Sequence, residues 1–229
     1  MKVKRITHHH QRLFNPISHI DGYFTDSSLA LASLGYDVLA TDTAHVCASV
    51  LRANINANAH LVPGRVHVRE LDWGVDPKGW TWDDPWSITS PVPLPRRDCD
   101  DREVLTPPFH LIVSSDTIYD TALVTPLFET IHMLSALSYT SPGSPSVSPT
   151  SSRIRACKPP VIYLAVERRD PTLITIPFTR AGKEWGLLFQ RVPEKKLKRA
   201  GVGVGWDAEE WEGVEVWCGR WDGVTRAIK

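Results

Sequence analysis

Short apolar runs alternate with helix-spaced apolar positions along most of the chain. "YDVLATD" (36–42) is a compact apolar run that stops on an acid. From about Ala44 the apolar residues Cys47, Leu51 and Ile55 recur four apart, one face of a helix, with Thr43 placed as its N-cap. Pro63 and Gly64 end that helix, and "RVHVREL" (65–71) alternates as a strand does. "FHLIVSSD" (109–116) and "PVIYLAVE" (160–167) have the continuous apolar centres of strands buried on both faces. Between them Leu123, Leu127, Ile131 and Leu134 mark another helix. "EWGLLFQRV" (184–192) and "WEGVEVWCGRW" (211–221) alternate at period two, which predicts an antiparallel hairpin at one edge of the sheet. Strands alternating with helices make this an α/β chain with a mostly parallel sheet.

Two segments break the rhythm. Residues 75–108 are rich in proline, tryptophan and acid without a consistent period, and 138–158 is a Ser/Pro/Thr stretch with three Ser-Pro pairs. Both exceed ordinary loop length and are expected to be surface insertions. "TIPFTRAGK" (175–183) falls where a helix belongs, but Pro177 and Gly182 predict irregularity there.

Composition narrows the class. With 229 residues, 42% hydrophobic and 23% charged, the chain suits one globular domain with embellishments. Lys+Arg and Asp+Glu balance at 26 each, so no overall field favours nucleic acid or a membrane surface. No apolar run reaches the roughly 18–20 residues of a membrane span. The basic N-terminus lacks the apolar core of a secretory signal. Cys47, Cys99, Cys157 and Cys218 follow no metal or disulfide spacing and read as reduced thiols of a cytoplasmic or nuclear protein. His8, His9 and His10 read as a solvent-exposed polar tail.

Four features could carry chemistry. Asp42 ends a strand, where a carboxylate can accept both hydroxyls of a ribose or simply cap the next helix. Asp72 and Trp73 follow the next strand at the same edge and could hold an adenine, or form a loop with a packed Trp. Asp116 and Tyr119 stand three positions apart where a strand turns into a helix, an acid and a phenol able to orient an amine. The alternative is a capping acid followed by a core tyrosine. Glu167, Arg168 and Arg169 end the fifth strand, most simply where it meets solvent.

In order, "LGYDVLATD", "AHVCASVLRANINANA", "VRELDWG", "FHLIVSSDTIYD", "VIYLAVERRDPTLI" and "WEGVEVW" resemble the family 16 (methyltransferase-like) enzymes of fungal type. These are S-adenosylmethionine-dependent proteins that mostly methylate lysines of non-histone proteins. The likeness covers roughly residues 28–217, and its most specific element is Asp-x-x-Tyr at 116–119, supported by Leu-Asp-Trp-Gly at 71–74. It implies a Rossmann-like class I methyltransferase sheet and a methyltransferase-like domain over 28–229, with insertions at 75–108 and 138–158. It further implies S-adenosylmethionine as cofactor, with Asp42 on its ribose, Asp72 and Trp73 near its adenine, Ser115 and Asp116 at its methionine end, and Tyr119 beside the incoming amine. The implied partner is a protein substrate carrying the target lysine, and the chain is expected to be a monomer that needs no metal.

The family opens with a strand and a glycine-rich E-x-G-x-G turn, whereas this chain has only Gly22 and Gly35 before Tyr36. "FTDSSLALASLG" (24–35) matches the helix after that turn, but "MKVKRITHHHQRLFNPISHIDGY" (1–23) resembles no buried strand. The expectation is therefore an irregular segment over 1–27 and a missing first strand, as in a truncated or mis-spliced gene product, leaving an inactive methyltransferase-fold protein as the alternative. A short-chain dehydrogenase would need Tyr-x-x-x-Lys, and no tyrosine here has lysine four residues on. A non-enzymatic nucleic-acid or protein-binding module would use "EKKLKRA" (194–200) and "MKVKR" (1–5), more simply a solvated basic face.

Overall fold

The computed structural model describes residues 16–21, 25–89, 104–139, 158–168, 172–204 and 212–223. The histidine tail, Cys99, Cys157, Arg169, the Ser-Pro pairs and "MKVKR" lie outside the described residues. Seven strands form one sheet in the order β3-β2-β1-β4-β5-β7-β6. They are β1 (Pro16–Asp21), β2 (Asp37–Asp42), β3 (Val66–Glu70), β4 (Leu111–Ser115), β5 (Val161–Glu167), β6 (Leu187–Arg191) and β7 (Val214–Trp221). The sheet is parallel except for β7, which runs antiparallel between β5 and β6. This is the class I methyltransferase sheet that the family resemblance implies, hairpin included.

The missing first strand is a wrong expectation: within the segment 1–27 read as irregular, residues 16–21 form a strand and Thr25 opens a helix. β1 is present at the centre, with Ile17 level with Val38 of β2 on one side and Leu111 of β4 on the other. Only Ile17 and Ile20 of "PISHID" are aliphatic, so the segment did not read as a buried strand. Ladder hydrogen bonds come from the main chain, however, and a strand paired on both sides forms from a mixed sequence. Helix α1 (Thr25–Ser33) then begins four residues after Asp21.

The chain leaves β1 in two directions. It first steps outward through β2 to β3, with α1 and a helix running 44–58 as crossovers: α2 (Ala44–Val46), a π-helical turn at Cys47–Leu51 and α3 (Arg52–Asn58). It then returns to β4 and steps the other way through α4 (Thr121–Ser138) to β5. Right-handed crossovers in opposite directions put the two helix sets on opposite faces. Accordingly α1 packs on α3, and α4 packs on α5 (Thr172–Trp185).

α5 is one continuous helix, where irregularity was expected from Pro177 and Gly182. Phe178, Ala181 and Trp185 recur at helical spacing and are all buried, so tertiary packing overrides local propensity. Phe128 of α4 meets Phe178, Trp185 and Phe189 at centroid distances of 5.9, 5.9 and 6.0 Å. Each such pair adds about 0.5–1.5 kcal/mol beyond area burial.

Residues 75–89, part of the segment read as a surface insertion, are exposed or half-buried up to Trp86 and anchored to the core beyond it. Ile88 is fully buried, Ser87 bridges to Glu70 beside β3, and Trp80 and Trp82 pack against the core. Arg69 of β3 holds this segment down. It is 1% exposed, donates to the carbonyls of Thr81 (3.2 Å) and Leu105 (3.3 Å), and lies over the Trp82 ring. Burial pushes its pKa down to about 10 against the opposing pull of Asp84 and Asp83, so it stays charged at neutral pH. The Phe109 N–H also donates to Ser138 Oγ (2.9 Å), which ties the return of the segment to α4. Among the described residues, no helix is long and apolar enough to cross a membrane.

At the foot of β2, Asp37 accepts from the Arg65 backbone N–H (3.1 Å), Nε (3.3 Å) and Nη2 (3.0 Å). Burial alone would raise its carboxyl. The Arg65 hydrogen bonds outweigh that, helped by attraction to Arg65 and His67, and hold it below the ordinary carboxylate value. A depressed folded pKa contributes stability that is present above the unfolded value and lost as pH falls through the folded one. Arg65→Ala should therefore cost about 1–3 kcal/mol at pH 7, and the gap to wild type should narrow below about pH 4, measured by urea unfolding across pH.

Candidate active site

Because β1 to β5 are parallel, their carboxyl ends share one edge of the sheet. Asp42, the pair Asp72–Trp73, and the run Ser115–Tyr119 all fall at or just beyond that edge. β1 is the point where the chain changes direction, so the crevice beside it is the topological switch point where ligands of open α/β sheets bind. Asp42 and Asp72–Trp73 lie on one side of β1 and Ser115, Asp116 and Tyr119 on the other. At about 4.8 Å per strand, the ends of β2 and β4 are roughly 10 Å apart.

On the first side, the Leu71 N–H donates to the Asp42 carbonyl (2.9 Å), which locks the exit of β3 beside the exit of β2. Asp42 is half-buried, and its Oδ1 accepts from the Thr43 N–H (2.7 Å) and hydroxyl (3.3 Å). Thr43 is the N-cap residue as expected, but its own side chain makes no capping bond. Asp72 is exposed; its Oδ1 accepts from the Gly74 N–H (2.8 Å), and its own N–H donates to Thr89 Oγ1 (3.2 Å). Trp73 is half-buried and packs against the core cluster. Behind this side Cys47 is inert, since burial pushes its thiol up to about 11.

On the second side, β4 ends in a sharp turn. Asp116 has φ +50°, the one non-glycine residue with positive φ among the described residues. Its N–H donates to the Ala165 carbonyl of β5 (2.9 Å). Thr117 and Ile118 turn inward and are buried, while Tyr119 is 55% exposed. Asp120 caps α4, accepting from the Ala122 N–H (2.9 Å), so the capping acid is Asp120, and Asp116 is left at the edge. Tyr119 is not a core tyrosine.

The next strand end is different. Glu167 and Arg168 are exposed, and Arg168 and Arg191 both approach Glu215, at 3.7 and 2.7 Å. "EKKLKRA" opens an amphipathic helix, α6 (Glu194–Val204), whose Lys198 pairs with Glu194 at 2.7 Å in the open. Both charge runs behave as solvated faces.

The sequence reading did not single out Asp21. Asp21 closes the central strand level with Ser115, and Gly22 is the first residue of the connection to α1. The signal was the dipeptide Asp-Gly ahead of "YFTDSS", masked by the polar strand before it. Gly22, Tyr23 and Phe24 lie outside the described residues. A groove of about 530 Å³ is lined by Phe178, Gly182, Leu188, Gln190, Cys218 and Arg220 among others. It lies on the β6–β7 side, and none of the six site residues borders it.

No protein-family model matches the chain, and no curated protein matches it. Among solved structures it is similar to one concerned with conversion of a disulfide bond into a thioacetal group during echinomycin biosynthesis. That alignment has TM-score 0.45 and 14% identity, covering 93% of this chain and 78% of the other. The delta-N METTL16 methyltransferase domain aligns with TM-score 0.43 and 9% identity over 94% and 76%. A putative sarcosine dimethylglycine methyltransferase from Galdieria sulphuraria gives 0.38 and 12% over 92% and 77%. At these scores the fold assignment rests on the strand order itself.

The left-handed backbone at Asp116 costs an L-residue about 1–2 kcal/mol. Asp116→Gly should therefore be more stable than Asp116→Ala by about 1 kcal/mol in urea unfolding, since both remove the carboxylate and glycine alone accepts the conformation freely.

Proposed function

We propose that this chain is an S-adenosylmethionine-dependent methyltransferase acting on a lysine side chain of a non-histone protein. The observation that carries the reading is the placement of the six residues astride the central strand, two acids and an indole on one side and a serine, an acid and a phenol on the other. The donor set fits the cofactor. Ribose hydroxyls and an adenine amino group are hydrogen-bond donors and call for carboxylate acceptors, which Asp42 and Asp72 are. Trp73 offers an aromatic face beside them. On the far side, Ser115 and Asp116 would receive the amino-acid end of the cofactor.

Bound there, S-adenosylmethionine supplies a methyl group on an already activated sulfonium. What remains for the protein is to present a neutral amine in line with that methyl and keep water away. Asp116 would accept a hydrogen bond from the amine and offset the positive charge that grows on nitrogen. Tyr119 would fix the direction of the lone pair with its phenol. Neither role needs a metal or a covalent intermediate. Lysine is favoured because an acid and an aromatic phenol suit a long aliphatic amine that becomes cationic.

A second reading is an inactive member of the fold, favoured by a single observation: Gly22 is the one glycine in the connection after β1, where the family has two. One titration separates them. Calorimetry of S-adenosylmethionine into the 229-residue chain should show saturable binding, weakened about 10- to 100-fold in Asp42→Ala by loss of charge-assisted hydrogen bonds. No heat from a folded sample would establish the inactive reading. With labelled cofactor and a protein extract, the label should be recovered as methyl-lysine, and label on another residue type would overturn the lysine assignment.

A further inference from the structure

The turn that carries Asp116 and Tyr119 is fastened from below by a pair of hydroxyls that the chemistry does not touch. Ser114 Oγ and Thr117 Oγ1 lie 2.6 Å apart, and the two residues are 0% and 1% exposed. One stands before and one after the left-handed Asp116, so their hydrogen bond spans the kink. Packing alone does not call for either hydroxyl, since Ala and Val would fill nearly the same volume, and a buried hydroxyl without a partner is unfavourable. The other restraints on this turn act elsewhere: the Asp116 N–H is held by β5, and Asp120 caps α4. Between those two points the hydroxyl pair draws Thr117 back under β4, with Asp116 and Tyr119 on the outer side of the turn. Strained backbone of this kind persists when its surroundings over-determine it.

We propose that Ser114 and Thr117 are positioning residues of the site, holding the Asp116–Tyr119 turn in its reactive shape through their mutual hydrogen bond. The consequence for cofactor and amine rests on the methyltransferase reading above; the hold on the turn does not. Neither residue touches a substrate in this account, so both act through Asp116 and Tyr119.

Three variants test this: Thr117→Val and Ser114→Ala, which each remove the bond from one side, and Thr117→Ser, which keeps it. Amide hydrogen exchange should rise at least tenfold at residues 116–119 in the first two, with the second half of α4 unchanged, and Thr117→Ser should stay near wild type. S-adenosylmethionine affinity should fall at least tenfold in Thr117→Val and Ser114→Ala and recover in Thr117→Ser, while the unfolding temperatures of all three remain within a few degrees. Unchanged exchange at 116–119 in both bond-breaking variants overturns the proposal whether or not cofactor binds. Faster exchange with unaltered cofactor affinity overturns the positioning role. If wild type binds no cofactor, the methyltransferase reading fails, and the exchange result still decides whether the hydroxyl pair holds the turn.

Discussion

The double pairing of β1 is the constraint on which everything else depends. A strand bonded on both sides fixes the register of β2 and β4 relative to each other, and through them β3 and β5. It makes Asp21, Asp42 and Ser115 near neighbours along one edge, although they are far apart in sequence. Without it, β2 and β4 would each expose a row of unpaired main-chain groups, and the two halves of the site would have no common frame. Five residues of mixed character after Pro16 accomplish this through backbone hydrogen bonds, with register set by the neighbours.

Two further devices convert that frame into a site. The first is the clamp formed by Arg69, whose bonds to the Thr81 and Leu105 carbonyls fold the tryptophan-rich connection onto the sheet beside β3. Thr89 in that connection then supports the Asp72 backbone, so a segment without periodic structure becomes the wall behind Asp72 and Trp73. The second is the kink at Asp116, where ladder, buried hydroxyls and helix cap meet within seven residues. Rigid elements thus deliver both halves, and the strain sits where the chemistry is proposed, as is common at functional sites.

Much of this was legible in the chain. β2, β4 and β5 announced themselves as continuous apolar runs, although only β2 is buried on both faces while β4 and β5 alternate. Asp42 and Asp116 were found because an acid directly after such a run sits at the carboxyl edge. The antiparallel pairing of β6 with β7 followed from the period-two alternation of both segments, while the placing of β7 between β5 and β6 was not read from it. What failed did so for stated physical reasons. β1 was missed because its fit is a matter of main-chain pairing, and "PISHID" carries little side-chain signal. The Ile88 segment was taken for surface because irregular backbone has no period, although its anchor, Arg69, was in view as a charged residue in a strand. α5 was doubted on Pro177, yet the buried stripe of Phe178, Ala181 and Trp185 prevails. The Ser114–Thr117 bond left no trace because two small polar residues flanking an acid look like any loop entry.

The central claim is that β1 completes the sheet, and amide hydrogen exchange resolved to Ile17–Ile20 tests it most directly. Amides of a strand paired on both sides should exchange only by global unfolding, as slowly as those of Leu39 and Ile112 in the neighbouring strands. Exchange at Ile17–Ile20 orders of magnitude faster than at Leu39 and Ile112 would mean that the centre of the sheet is not built from this segment, and the site assembled around it would fall with it.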